Sequence, residues 1–277
     1  MLKDCVAKTG IIRVSGCRQA VAEDVLAVEE PLEIRLLYHD PQPVLRKLSV
    51  TMRTPGHDAD LAAGFLFTEG ILQSNAQIEA LTQPEENVIQ VALVPGARPV
   101  LSRADRNFYT TSSCGVCGKS SIDAIRTVSA YAEQPDTLSV PAALLYRLPE
   151  LLRAQQEVFE STGGLHASAL FDTEGRFLDL REDVGRHNAL DKLIGAAFRV
   201  QRLPLDQVIL LLSGRASFEL VQKAAMAGIR VVAAVGAPSS LAVALAEEQG
   251  MTLAGFLREE RFNIYTGGHR ITFPAGA

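Results

Sequence analysis

Two stretches of different character predict an α/β protein. Across residues 1–130, short segments alternate apolar and polar positions, the period of half-buried strands. Across residues 131–277, short wholly apolar runs are separated by amphipathic helical stretches, the pattern of a mostly parallel sheet covered on both faces. Size agrees: 277 residues, 47% apolar and 21% charged, suffice for a sizeable core and exclude a disordered chain. The expectation is a β-rich N-terminal region (1–130) ending in a cysteine loop and a helix, followed by a three-layer domain (131–277).

Leu32, Ile34, Leu36 and Tyr38 alternate with charged or large neighbours and predict a strand; residues 48–53 and 87–94 read alike. Between them, residues 57–72 place Leu61, Phe65, Leu66 and Leu72 on one helical face, with Asp58 or Asp60 as the N-terminal carboxylate. TTSSCGVCGKSS, residues 110–121, breaks both periods and predicts a loop running into a helix over 122–131. AEQPDTLSVP reads as a linker, and Pro141 suits the first turn of one long helix ending near Gly163-Gly164. Residues 166–171 and 176–181 flank a DTEG turn and predict a hairpin. A helix over 187–200 turns Leu190, Leu193, Ile194 and Ala197 inward. Strands at 208–212, 229–235 and 252–256 alternate with helices at 217–227 and 240–249, which Gly228 and Gly250 terminate.

A formal net charge of −5 gives no support to bulk attraction for nucleic acid or anionic lipid. The longest obvious apolar run, 208–212, is far short of a membrane span, and the opening MLKDCVAKTG does not read as a signal peptide. Four cysteines in a chain this long do not make a secreted disulfide framework, so the cytoplasm is expected. The apolar-rich outer faces of the sheet helices would allow a homodimer.

The sharpest chemical feature is Cys114-Gly-Val-Cys117. At an ordinary thiol pKa only about 3% of a cysteine is ionised at pH 7, and a helix N-terminus supplies less than one pKa unit. Lys119 or a bound cationic group would have to assist. Redox exchange, persulfide carriage and half a metal site all fit the pair, as does a pair of exposed thiols. Cys5 and Cys17 are too far apart to form a second such motif. His39, His57, His166, His187 and His269 show no two-histidine spacing, so no permanent metal is expected. The layout of the second half resembles zinc nucleotide deaminases, but their H-x-E and P-C-x-x-C helix starts are replaced by EDVGRHNA from 182 and SGRASFE from 213.

Those helix starts have a second use, because ligands of parallel sheets settle beyond the carboxyl ends of the strands. Ser213-Gly214-Arg215 and Pro238-Ser239-Ser240 suit a phosphate, although helix capping explains the serines equally well. Asp183, His187 and Asp191 recur at helical spacing; His187 reads as a member of a network with Asp183, a general acid or a ligand contact. His166 opens a strand and could simply satisfy a carbonyl. Arg258 and Arg261 would project near the crevice edge or belong to a solvated charge run.

The segments HDADLAAGFLFTEGI, SSCGVCG, TGGLHAS, EDVGRHNALDK, SGRASFELVQKAAMAGI, PSSLAVALAEE and GFLREERFNIYT occur in this order. On them the chain resembles, over nearly its whole length, the FdhD family of formate dehydrogenase accessory sulfurtransferases. The resemblance implies a cytidine-deaminase-like fold for the second half. It also implies a sulfur relay: a cysteine desulfurase hands sulfur to Cys114 as a persulfide, with Cys117 its partner in transfer or release. The recipient would be the molybdenum or tungsten of a bound Mo-bis(molybdopterin guanine dinucleotide) substrate destined for formate dehydrogenase. The family's cofactor segment falls on Phe256, Leu257, Arg258, Glu259, Glu260 and Arg261; Ser213 and Arg215 join it from the strand-end reading. Glu259-Glu260 departs from members with a glycine before the last arginine, and two carboxylates suit a pyrophosphate only if they face solvent or a guanine edge. A cofactor-binding chaperone and a thiol-disulfide oxidoreductase are the alternatives.

Overall fold

The computed structural model describes residues 5–101, 131 and 136–274. The Cys114/Cys117 loop, the helix expected over 122–131 and part of the linker lie outside the described residues. The chain opens on a hairpin, β1 (Val6–Ser15) and β2 (Arg18–Ala27), paired antiparallel without a register break. Alternation could not reveal it. Ile12, Val14 and Val21 are 66%, 62% and 90% exposed, so no buried face imposes a period.

β3 (Glu30–Asp40), β4 (Gln42–Arg53), β5 (Ile78–Glu85) and β6 (Val88–Leu93) form a sheet in the order β4-β3-β6-β5, with β3 and β6 parallel. The three stretches expected from alternation fall in β3, β4 and β6. Leu32, Ile34 and Leu36 bury one face of β3, whereas β5, which the sequence did not announce, is largely exposed.

The helix expected over 57–72 is α1 (Asp58–Thr68), with Asp58 and Asp60 in its first turn. It stops earlier because Gly70 takes a left-handed φ of 71°, and the N–H groups of Ile71 and Leu72 both turn back to the Leu66 carbonyl. Leu72 is therefore buried from outside the helix. Nor does α1 have one apolar face: Asp60, Ala62, Ala63, Gly64 and Phe67 are buried alongside Leu61 and Leu66. The helix is packed on more than one side.

Beyond the linker, β7 (Val140–Pro141) precedes α2 (Ala142–Arg153) and α3 (Glu157–Thr162), where a single long helix was expected. The break has a tertiary cause. The Glu182 carboxylate accepts from the N–H groups of Val158 (3.2 Å) and Phe159 (3.0 Å), which gives α3 its own start.

There follow β8 (His166–Phe171), β9 (Phe177–Asp183), α4 (Arg186–Arg199), β10 (Ile209–Leu212), α5 (Phe218–Met226), β11 (Val231–Ala234), α6 (Ser240–Glu248), β12 (Thr252–Arg258), β13 (Arg261–Thr266) and β14 (Ile271–Thr272). The sheet order is β13-β12-β11-β10-β8-β9, with β10, β11 and β12 parallel at its centre. β8, β9 and β13 are joined through antiparallel pairs. Ile209, Leu211, Val231 and Ala233 pack with Leu145 and Leu148 of α2, while Leu210, Leu212, Val232 and Ala234 pack with residues of α4, α5 and α6. These are the three layers the sequence implied. β14 pairs with β7.

α1 and α4 cross backbone to backbone. A Cβ placed on Gly64 would lie 1.9 Å from the Asp191 carbonyl oxygen, and one on Gly195 would lie 1.9 Å from that of Asp60. Beside this crossing, the Phe67 and Phe198 rings stack at 4.9 Å. One core cluster thus holds Leu61 and Leu66 together with Leu190, Leu193 and Ile194. Among the described residues no helix is long and apolar enough to cross a membrane.

Candidate functional site

The loops leaving β10, β11 and β12 meet at the carboxyl end of the sheet. Ala216 N–H donates to Ala237 (3.2 Å), Ser239 N–H to Ala216 (3.0 Å), and the N–H groups of Gly236 and Phe256 reach Gly214 and Gly236. The approach is tight enough that a Cβ on Gly236 would sit 3.0 Å from the Arg215 backbone. Ser213 is partly committed: its N–H donates to the Ala167 carbonyl and its Oγ accepts from Ala167 N–H at 2.8 Å, stitching the loop to β8. Ser239 caps α6 by accepting from Ala242 N–H. Arg215 is exposed at the rim.

His166 opens β8 opposite Asp183. Burial lowers the pKa of its imidazole, and the neighbouring Arg186, His187 and Arg215 add to this against an opposing pull from Asp183. The expected network of His187 with Asp183 is replaced by another arrangement. Asp183, fully buried, accepts from the N–H groups of Thr54 (3.1 Å) and Gly185 (2.8 Å) and from Asn188 Nδ2, and it pairs with Lys192 Nζ at 2.7 Å. Those donors pin the β9–α4 turn. His187 Nε2 lies instead 3.4 Å from Ser217 Oγ and 3.7 Å from Glu219 Oε2 on α5. Asp191 meets Thr68 and Lys223. Three residues at helical spacing therefore serve three different neighbours.

The facing His187 imidazole draws the Glu219 carboxyl down to a pKa of about 2. A folded pKa below the unfolded value means a contribution present above about pH 4.5 and lost as pH falls towards 2. In acid titrations of stability, the deficit of Glu219→Gln relative to wild type should be present at pH 5 and close as the pH falls towards 2. A deficit independent of pH would refute the pairing.

Residues 256–261 form the end of β12 and its turn into β13. Phe256 is partly exposed at a left-handed φ of 57°, whereas Leu257 is 1% exposed and packs in the core on the α2 side. The sequence grouped Leu257 with the ligand contacts; the structure turns its side chain away from the rim. Arg258 and Arg261 are exposed and directly opposed across the hairpin, a like-charge pair that disfavours the hairpin unless an anion lies between. Glu259 and Glu260 make the turn and face solvent, with Glu259 at a left-handed φ of 41°.

Arg186, not singled out in the sequence, is the first residue of α4; its Nε–H is buried without an acceptor among the described residues. The available signal was a basic residue at a helix start, the wrong end for the dipole. Among the described residues no group of three or more histidine, cysteine, aspartate or glutamate side chains could hold a metal ion. What the rim presents chemically is exposed guanidinium groups of the kind that pair with anions.

The family model described as the FdhD/NarQ family matches residues 27–272. A protein of Mycolicibacterium paratuberculosis named sulfur carrier protein FdhD is 54% identical over 264 residues, covering 91% of this chain and 94% of that one. A protein of the same name from Streptomyces avermitilis is 50% identical, covering 96% of each. A solved structure from Desulfotalea psychrophila, named for an accessory role to formate dehydrogenase, superposes with a TM-score of 0.72 at 23% identity. It covers 97% of this chain and all of that one.

Proposed function

The chain belongs to the FdhD/NarQ family, and on that premise we propose that it is a cytoplasmic sulfur carrier serving formate dehydrogenase, with Cys114 as the sulfur-bearing atom's host. The observation that carries this reading is the near-full-length identity to relatives named as sulfur carriers. The donor is a cysteine desulfurase. The Cys114 thiolate attacks the outer sulfur of the donor's persulfide; the donor's S–S bond breaks, its cysteine leaves as thiolate, and Cys114 keeps the outer sulfur with its proton. The Cys117 thiolate then attacks the inner sulfur of Cys114. A Cys114–Cys117 disulfide forms, hydrosulfide leaves at the sulfide level, and a cellular dithiol reductant restores the pair.

The recipient is the metal of a bis-guanine-dinucleotide pterin, bound as substrate at the strand-end rim. Support comes from the opposed Arg258 and Arg261, the exposed Arg215 and the solvent-facing Glu259 and Glu260, which leave the rim cationic. Binding there would orient the pterin while Ser213 holds the loop against β8.

Mass spectrometry after incubation with a cysteine desulfurase and cysteine should show a gain of one sulfur, about 32 Da, that Cys114→Ala abolishes. Cys114→Ala should retain guanine-nucleotide binding and fail to support formate dehydrogenase. A Cys114→Ala protein that still loads sulfur would overturn the assignment. Reversible Cys114–Cys117 oxidation without any sulfur adduct would favour a thiol-disulfide oxidoreductase.

A further inference from the structure

The β1–β2 hairpin is a ribbon of two strands with no third strand beside it. β1 and all of β2 but Ala27 lie before the stretch, 27–272, that the family model matches. Register sorts the side chains of the ribbon. Ile12 lies opposite Val21 and Val14 opposite Gln19, so the exposed Ile12, Val14 and Val21 share one face near the tip. Lys8 and Glu23 pair at 2.8 Å on that same face, closer to the base. Arg18, exposed, and Asp24, half-buried, lie on the opposite face, and among the described residues neither has an ion-pair partner. Two strands by themselves are marginally stable in water, and this pair leaves β-branched apolar side chains uncovered.

The free edge of β2 is complementary to itself. The two-residue turn at Gly16-Cys17 makes Ser15–Arg18 a hydrogen-bonded pair, so by alternation the N–H and C=O groups of Gln19, Val21 and Glu23 point away from β1. Among the described residues none of these backbone groups has a partner beyond the hairpin. A two-fold axis through Val21 would bring Arg18 of each copy opposite Asp24 of the other, and Gln19 opposite Glu23. It is the only two-fold register of β2 that sets opposite charges directly across. β1 offers nothing comparable, since it carries Lys8 and Arg13 and no acid. We infer that β2 pairs antiparallel with β2 of a second copy of this chain, which makes a four-stranded sheet in the order β1-β2-β2-β1. Ile12 and Val21 of both copies then form one unbroken row across the apolar face, and two Arg18–Asp24 ion pairs lie on the other. Pairing over residues 18–24 stops short of Ala27, where Gly164 packs; a Cβ on Gly164 would lie 3.8 Å from that of Ala27. The contact lies apart from the outer faces of the sheet helices and is independent of sulfur carriage.

The test is sedimentation of the full chain over a concentration series, read together with amide hydrogen exchange. Arg18→Asp turns two ion pairs into two like-charge pairs and should raise the dissociation constant at least about 10-fold. Arg18→Asp combined with Asp24→Arg restores opposite charges across the axis and should recover most of that loss. Val21→Lys sets two ammonium groups face to face and should leave the chain monomeric; Val21 is 90% exposed, so the monomer's own packing is untouched. In the wild type the amides of Gln19, Val21 and Glu23 should gain protection as concentration rises, and in Val21→Lys they should exchange freely at every concentration. A wild type that stays monomeric, with those three amides unprotected, overturns the inference. So does a dimer that survives both Val21→Lys and Arg18→Asp, because another face then makes it. Protection of the three amides only on adding a cysteine desulfurase would put a partner's strand on this edge and equally overturn it.

Discussion

Gly195→Ala is expected to destabilise the protein by at least about 3 kcal/mol, although by helix propensity alone it should stabilise it by about 1 kcal/mol. The sign is decided by packing. At 1.9 Å from the Asp60 carbonyl oxygen, the new methyl meets backbone, which cannot rotate aside as a side chain would. α1 and α4 must separate, and that opens the cluster in which Leu61 and Leu66 meet Leu190 and Ile194. Gly64→Ala should act alike from the other helix, since its Cβ would strike the Asp191 carbonyl oxygen. Gly10→Ala, where a Cβ meets nothing within 4 Å, is the control and should change stability by less than about 0.5 kcal/mol. Denaturant unfolding reads all three. A Gly195→Ala protein as stable as wild type would show that the helices are not in backbone contact.

Removing Asp191 should cost about 3–5 kcal/mol, because it strips a buried ammonium of its nearest carboxylate. Lys223, buried, has its Nζ 2.9 Å from Asp191 Oδ2, 2.9 Å from Thr68 Oγ1 and 3.2 Å from Glu69 Oε1. Burial works to lower the Lys223 pKa, but the Asp191 and Glu69 carboxylates overcome it and hold the value above the ordinary one. A raised folded pKa contributes stability that is complete below the unfolded value of about 10.4 and is lost as pH climbs through the folded one. Asp191→Ala should therefore be most damaging near neutrality, with its gap from wild type narrowing in alkali. Replacing both partners, Asp191→Leu with Lys223→Met, should recover much of the loss, since no uncompensated lysine charge remains at the site. Equal losses in the single and double variants would show that the pair contributes nothing as a pair.

Legibility in the sequence followed burial. Strands at 32–38, 48–53 and 87–94, the hairpin after His166 and the alternating strands and helices from 208 onward could be read because each buries a face whose period survives in the residues. β1 and β2 could not, for none of their side chains is fully buried and Ile12, Val14, Val21 and Leu26 are exposed, so no inside–outside rule marks them. The single helix expected from Pro141 became two because a carboxylate on β9 caps the second, a contact between residues about two dozen apart that no local pattern records. At the rim the sequence named Ser213 and Arg215 from the strand-end reading and Arg258 and Arg261 from the family resemblance, yet it also named Leu257, whose side chain the end of β12 buries in the core.

The amino-acid order by itself determined the architecture class, the family and the Cys114–Cys117 pair, because periodicity and local motifs are properties of neighbouring residues. Only the tertiary structure decided who meets whom: Asp183 with Lys192, His187 with Glu219, and Asp191 with Lys223. The physical reason is that a side chain's charge state and partners depend on what burial brings beside it, and helical spacing alone does not say which of several available acceptors or donors wins.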